Sequence, residues 1–164
     1  MISLRYALPV LWVALVLVLG SASFAARETA TFVLPVLKAV LPGVPVATLE
    51  AIHMVLRKVC HLTEYAVLAL LWFRALLARA RQTPRAAAWI ALGVCLLCAF
   101  VDEAHQAMLP ARTGSARDLV IDAAGALGML IVLRARRLAG GVILSGPQGR
   151  SHDDRLDARR SVAP

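Results

Sequence analysis

Between Arg85 and Asp102 the chain reads AAAWIALGVCLLCAFV, sixteen residues without a charge. A stretch of that kind is either a buried core helix or a helix in lipid. It does not stand alone, because comparable blocks cover about 6–26 (YALPVLWVALVLVLGSASFAA), 59–78 and 118–134, and the block beginning at 86 extends to about 108. Each approaches the ~20 residues with which a helix crosses a hydrocarbon core. Hydrophobic residues make up 60% of the chain and its mean hydropathy is +0.73, outside the usual range of soluble domains. Aromatics are only 5%, and blocks of Leu, Ala and Val suit helices better than the alternating strands of a barrel. The expected fold is all-α, a four-helix transmembrane bundle.

Net charge is +8. In a soluble protein that would raise nucleic acid as a partner, but here the arginines flank apolar blocks and orient the chain, so no nucleic-acid role is expected. Arg74, Arg79, Arg81 and Arg85 separate the second and third blocks, and Arg134, Arg136 and Arg137 follow the fourth. The positive-inside rule makes both regions cytoplasmic, which puts both termini inside and the first and third connections outside. The first block also carries signal-peptide features, with Arg5 ahead of it and Ser23-Phe24-Ala25 as a cleavage site. Residues 1–138 are expected to form the membrane domain and 139–164 a disordered basic cytoplasmic tail, since the tail has no periodic apolar face.

Between the first and second spans, TATFVLPVLKAVLPGVPVATLEAIHMVL is too apolar for a solvated loop and too interrupted by Pro35, Pro42 and Pro45 for a span. Short helices lying on the outer membrane surface fit it. From about Thr48 the pattern becomes continuous helix. Glu50, His53, Arg57, His61 and Glu64 follow at spacings of 3, 4, 4 and 3, which places all five on one face. A polar stripe of that length is costly against lipid and is expected to face other helices. Arg57 and Lys58 lie on the outer side, where the orientation rule asks for no cations, so they are expected to have partners.

The uncharged run after Arg85 is shorter than a full crossing, so helix should continue through DEAHQAML with Asp102, Glu103, His105 and Gln106 near the outer boundary, ending at Pro110. The fourth span opens on Asp118, favourable at a helix amino terminus. Asp122 and Gly125 follow four and seven residues later on the same face. Gly125 and Gly128 would let another helix come close. Arg57, Lys58, Arg112 and Arg117 can pair with Glu64, Asp102, Glu103, Asp118 and Asp122, which makes the two polar regions opposite walls of one outward chamber.

Two groups of these residues carry a resemblance. Lys58, His61, Glu64 and Tyr65 in KVCHLTEY resemble a basic–His–Glu-Tyr pattern of the VanZ-like family of small bacterial membrane proteins, named after a teicoplanin-resistance determinant. Asp102, Glu103, Gln106, Arg112, Asp118 and Gly125 resemble its second pattern. The resemblance covers roughly the first 135 residues. Asp122 departs from it, standing where the family commonly has Asn. The resemblance implies residence in the bacterial inner membrane, a cell-envelope role and, for some members, lowered glycopeptide susceptibility. It supplies no mechanism.

The binding residues expected on these grounds are Arg57, Lys58, His61, Glu64, Tyr65, Asp102, Glu103, His105, Gln106, Arg112, Arg117, Asp118 and Asp122. Besides the lipid bilayer, the partner would be an envelope lipid, a cell-wall precursor or a glycopeptide. Packing alone is the plainer alternative, with the ion pairs fixing helix against helix. A second functional reading makes the protein an enzyme using His61, Glu64 and Asp102 for acid/base work on a lipid-linked substrate. A third takes Cys95 and Cys98, a C-x-x-C within the third span, as a quinone-linked thiol oxidoreductase. No ligand spacing of the HExxH kind occurs, so neither metal nor cofactor is expected.

Overall fold

The computed structural model describes residues 4–78, 82–108 and 115–144. Among them there is no strand, as expected of an all-α chain. Five α-helices follow in order: α1 Ala7–Leu19, α2 Ala26–Val40, α3 Val46–Leu77, α4 Pro84–Ala107 and α5 Ala116–Leu144, with 3-10 turns at Leu4–Tyr6 and Ala22–Phe24. Of the described helices, α3 and α4 are long and apolar enough to cross a membrane. Residues up to Ile131 form one compact unit and those from Val132 a second. The polar residues discussed below lie in the first.

Local chemistry sets the boundaries. Thr83 caps α4 by accepting the Ala86 N–H at 3.2 Å, and Pro84 occupies the first helical position, where its missing N–H costs nothing. Ahead of α3 the chain reverses at Gly43, whose φ of +95° suits a residue without a side chain. The Pro45 carbonyl then accepts the Thr48 and Leu49 N–H groups and starts α3.

Three boundaries differ from the sequence expectation. The first apolar block was expected to be one span over 6–26, but α1 stops at Leu19, with the Gly20 N–H bonded back to the Val16 carbonyl at 2.8 Å. Gly-Ser-Ala-Ser keeps the block uncharged without favouring helix. Between the first two long blocks there is one helix of 15 residues, α2, with Pro35 inside it, rather than several short ones. Pro35 forfeits a single backbone bond, and the packing of α2 against α3 supports the rest. Finally, α5 runs through Leu144, into the stretch assigned to the tail, because Arg, Ala and Leu in RARRLA favour helix. Residues 145–164 lie outside the described ones.

Contacts fix the helix directions. Arg5 at the start of the chain donates to the Ala78 carbonyl at 3.1 Å, Trp12 Nε1 donates to the Glu64 carbonyl at 2.9 Å, and Arg57 donates to the Phe24 carbonyl at 2.9 Å. Residue numbers rise on one strand of contacts as they fall on the other, so α1 and α3 are antiparallel. Lys58 meets Asp118, His61 meets Asp122, and Leu62 meets Gly125; both numbers rise together, so α3 and α5 are parallel.

The α4 face turned inward is made of small residues. Ala87, Ala91, Cys95 and Ala99 are buried at four-residue spacing and continue into buried Asp102 and Gln106, whereas Trp89, Leu97 and Phe100 are exposed. A soluble helix buries its large apolar side chains. Small residues inside and large ones outside is the pattern of helices that pack in lipid, and it suits a bilayer environment for this chain.

Candidate functional site

The α3 stripe meets two different neighbours. Toward its amino-terminal end, His53 is buried and its Nε2 lies 3.1 Å from Thr29 Oγ1 on α2. Arg57 donates to the same hydroxyl at 3.1 Å. One turn on, the stripe faces α5. Lys58 Nζ lies 2.9 Å from Asp118 Oδ1, a partly exposed ion pair. His61 Nδ1 lies 3.4 Å from Asp122 Oδ1, with Asp122 almost fully buried. Glu50, at the start of the stripe, is exposed. Both outer cations of α3 thus have partners, Lys58 a carboxylate and Arg57 a carbonyl and a hydroxyl.

The close approach of α3 and α5 depends on Gly125. A Cβ built there would run into the Leu62 carbonyl oxygen, a backbone atom that cannot move aside. Gly128, the other glycine expected to admit a neighbour, has nothing within 4 Å.

α4 contributes the third set of polar side chains. Asp102 and Gln106 are buried, and Gln106 Nε2 donates to Asp102 Oδ2 at 2.7 Å. The Asp102 carboxylate also lies against Gly20, where a Cβ would collide with it. Glu103 accepts the Ser115 N–H and so ties the end of α4 to the start of α5. The Glu64 carboxylate is half-buried within electrostatic reach of His61, Asp122, Asp102 and Arg57. Tyr65 is completely buried, and its hydroxyl has Asp122, Asp102, Cys98 and Glu64 around it.

Eight of the expected site residues, Arg57, Lys58, His61, Glu64, Tyr65, Asp102, Asp118 and Asp122, are thereby linked through direct or electrostatic contacts across α3, α4 and α5. Gln106 joins them through Asp102, and Glu103 borders them. His105 is half-buried with its Nδ1 lacking a hydrogen-bond partner, and Arg117 is exposed. Arg112 lies outside the described residues. Sequence reasoning missed Trp12, Thr29 and Gly20, which respectively hold the α3 backbone, bridge His53 to Arg57, and make room for Asp102. Only Gly20, breaking an otherwise apolar block, left a trace.

Among the described residues, the buried atoms of this cluster with unfilled hydrogen-bonding capacity include the Tyr65 hydroxyl, His61 Nδ1 and Asp122 Oδ1. The last two sit at ion-pair range but without hydrogen-bond geometry. Among the described residues no group of three or more His, Cys, Asp or Glu side chains is placed to hold a metal. Cys95 and Cys98 are free thiols.

Residues 6–137 match the family model described as VanZ/LLP1. The chain belongs to the VanZ/LLP1 family. Comparison with curated proteins and with solved structures gives no match. Membership and the apolar helices of this VanZ/LLP1 protein are together compatible with a membrane protein. The matched span contains every residue of the polar cluster, including Asp122 beside His61.

Proposed function

We propose that this VanZ/LLP1 protein is a four-span protein of the bacterial inner membrane whose α3–α4–α5 cluster is an outward-facing polar chamber. The chamber binds the polar part of an envelope component and thereby lowers susceptibility to glycopeptides such as teicoplanin. In this reading α1, α3, α4 and the first part of α5 are the spans, α2 lies at the outer surface, and both termini are cytoplasmic. The observation that carries it is the fully buried Tyr65 hydroxyl without a hydrogen-bond partner, set among carboxylates from three helices. A network serving packing alone gains from being fully satisfied, and an unfilled buried donor costs about 1–3 kcal/mol. A ligand group that fills it recovers that cost.

The test is teicoplanin susceptibility of a sensitive bacterial strain expressing the wild type, Glu64→Gln or Asp122→Asn, with membrane accumulation measured alongside. Wild type is expected to lower susceptibility and Glu64→Gln to abolish the effect at comparable accumulation. A wild type without effect, or a fully active Glu64→Gln, overturns the proposal.

The His61–Asp122 pair supports a second reading. A carboxylate 3.4 Å from Nδ1 needs only a small closure to a hydrogen bond that would orient the imidazole and leave Nε2 to exchange protons with a substrate, which would make the protein an enzyme acting on a lipid-linked envelope molecule. That reading requires a product in membrane lipid extracts that disappears with His61→Ala.

A further inference from the structure

Tyr65 is completely buried, and Asp102 and Asp122 almost so. A ligand therefore meets them only after some part of the fold moves aside. The helix held least firmly is α2. It buries none of its residues, whereas α1, α3, α4 and α5 each bury two or more, and elements with few buried contacts open at the lowest free energy. Only one side of α2 packs, since Phe32, Val36 and Val40, four residues apart, are exposed.

Two α3 side chains converge on one hydroxyl of α2. Thr29 Oγ1 lies 3.1 Å from the Nε2 of buried His53 and accepts from Arg57 Nη1 at 3.1 Å. The same guanidinium nitrogen donates to the Phe24 carbonyl at 2.9 Å, and Ala25, between these two attachment points, is 1% exposed. The chain leading into α2 starts at Gly20, against which the Asp102 carboxylate packs. Beyond α2 it turns at Gly43, which has open space around it. Gly20 and Gly43 thus bracket one 3-10 turn and α2 as a flap that touches the cluster at its near end.

We infer that residues 21–42 form a gate over the cluster, hinged at Gly20 and Gly43 and latched through Thr29 to His53 and Arg57, which opens to admit the ligand of the α3–α4–α5 chamber. The inference rests on the proposed binding role of that cluster and names what controls access to it. The latch suits a reversible gate, because each tie is one hydrogen bond to a hydroxyl or a carbonyl, and water replaces such a bond at little net cost. Arg57 also connects the gate to the site. It lies within electrostatic reach of Glu64, so a guanidinium that lets go of Thr29 and Phe24 is free to turn its charge toward that carboxylate.

The test measures alkylation by a maleimide in the full chain in lipid nanodiscs, with the native thiols removed (Cys60→Ser, Cys95→Ala, Cys98→Ser) and one cysteine introduced at a time. Ala25→Cys reports on the latch, Asp102→Cys on the cluster, and Ala91→Cys on the buried face of α4 away from both. Thr29→Val keeps the shape of the side chain and removes its hydroxyl. It should speed alkylation at Ala25→Cys and Asp102→Cys about fivefold or more, the loss of at least one hydrogen bond, and leave Ala91→Cys unchanged. Thr29→Ser, which keeps the hydroxyl, should restore the slow rates. An unchanged rate at Ala25→Cys or Asp102→Cys overturns the inference. A rise at all three positions does so too, because the hydroxyl then only stabilises the fold. Should a variant fail to fold, hydrogen exchange of the wild type decides. A helix of 15 residues off its partner is marginal, so α2 amides should exchange faster than those of α3, and equal protection overturns the gate. An Asp102→Cys rate insensitive to Thr29→Val, alongside a Glu64→Gln variant inactive against teicoplanin, would leave the proposed function standing without the gate. Latch-dependent rates with a wild type inactive against teicoplanin would do the reverse.

Discussion

At the scale of single residues, the glycines separate what is built for close approach from what is incidental. A methyl at Gly125 meets the Leu62 backbone, whereas one at Gly20 meets only the end of the Asp102 side chain, and Gly93 and Gly128 have open space. Thermal unfolding in detergent should therefore rank the alanine variants. Gly125→Ala is expected to lose about 1–3 kcal/mol through overpacking, and Gly20→Ala less, as the carboxylate turns away. Gly93→Ala and Gly128→Ala should be neutral or up to about 1 kcal/mol more stable from helix propensity. A Gly125→Ala as stable as the wild type would remove the close α3–α5 contact from the description. Gly125 was legible because it shares a face with Asp118 and Asp122. Trp12 and Thr29 were not, because their hydrogen bonds run to a backbone carbonyl and a ring nitrogen of α3, 52 and 24 residues away in the chain, and no local pattern encodes either.

At the scale of elements, α3 organises the site, since α1, α2 and α4 all pack on it and α5 reaches it through Lys58, His61 and Leu62. The polar stripe was readable because helical periodicity puts residues at spacings of 3 and 4 on one face. Which neighbour each residue meets was not readable, and the stripe divides between α2 and α5. Helix ends were harder still. Hydropathy reports where apolar residues stop, and that coincides with the end of a helix only when a breaker stands there. It therefore overran α1, where small uncharged residues follow Leu19, and fell short on α5, where arginines extend a helix beyond the apolar block. The parallel pairing of α3 and α5 makes a direct prediction in a background without native cysteines. A short bis-maleimide should join Lys58→Cys to Asp118→Cys in membranes and fail to join Arg74→Cys to Asp118→Cys. The opposite outcome would mean that α5 runs the other way. The Lys58–Asp118 ion pair itself is partly exposed and worth no more than about 1 kcal/mol, so the cysteine substitutions should not unfold the protein.

At the scale of the whole molecule, the first unit has two chemically distinct ends. One carries Arg5 hydrogen-bonded to Ala78, with Arg74 and Arg85 exposed close by in the chain. The other gathers the carboxylates, His61 and the Lys58–Asp118 pair. This asymmetry was visible in the order of charges along the sequence, and the antiparallel α1–α3 contact gives it a spatial form. It turns the family membership into a mechanism only if the carboxylate end faces outward, where an envelope molecule can reach it. The decisive measurement is labelling of single cysteines by a membrane-impermeant maleimide in intact and permeabilised cells, at the exposed positions Glu50, Arg74, Arg85 and Arg117. Glu50→Cys and Arg117→Cys should react in intact cells, and Arg74→Cys and Arg85→Cys only after permeabilisation. The reverse pattern, with Arg74→Cys and Arg85→Cys reacting first, would place the cluster on the cytoplasmic side and end its role as an outward chamber.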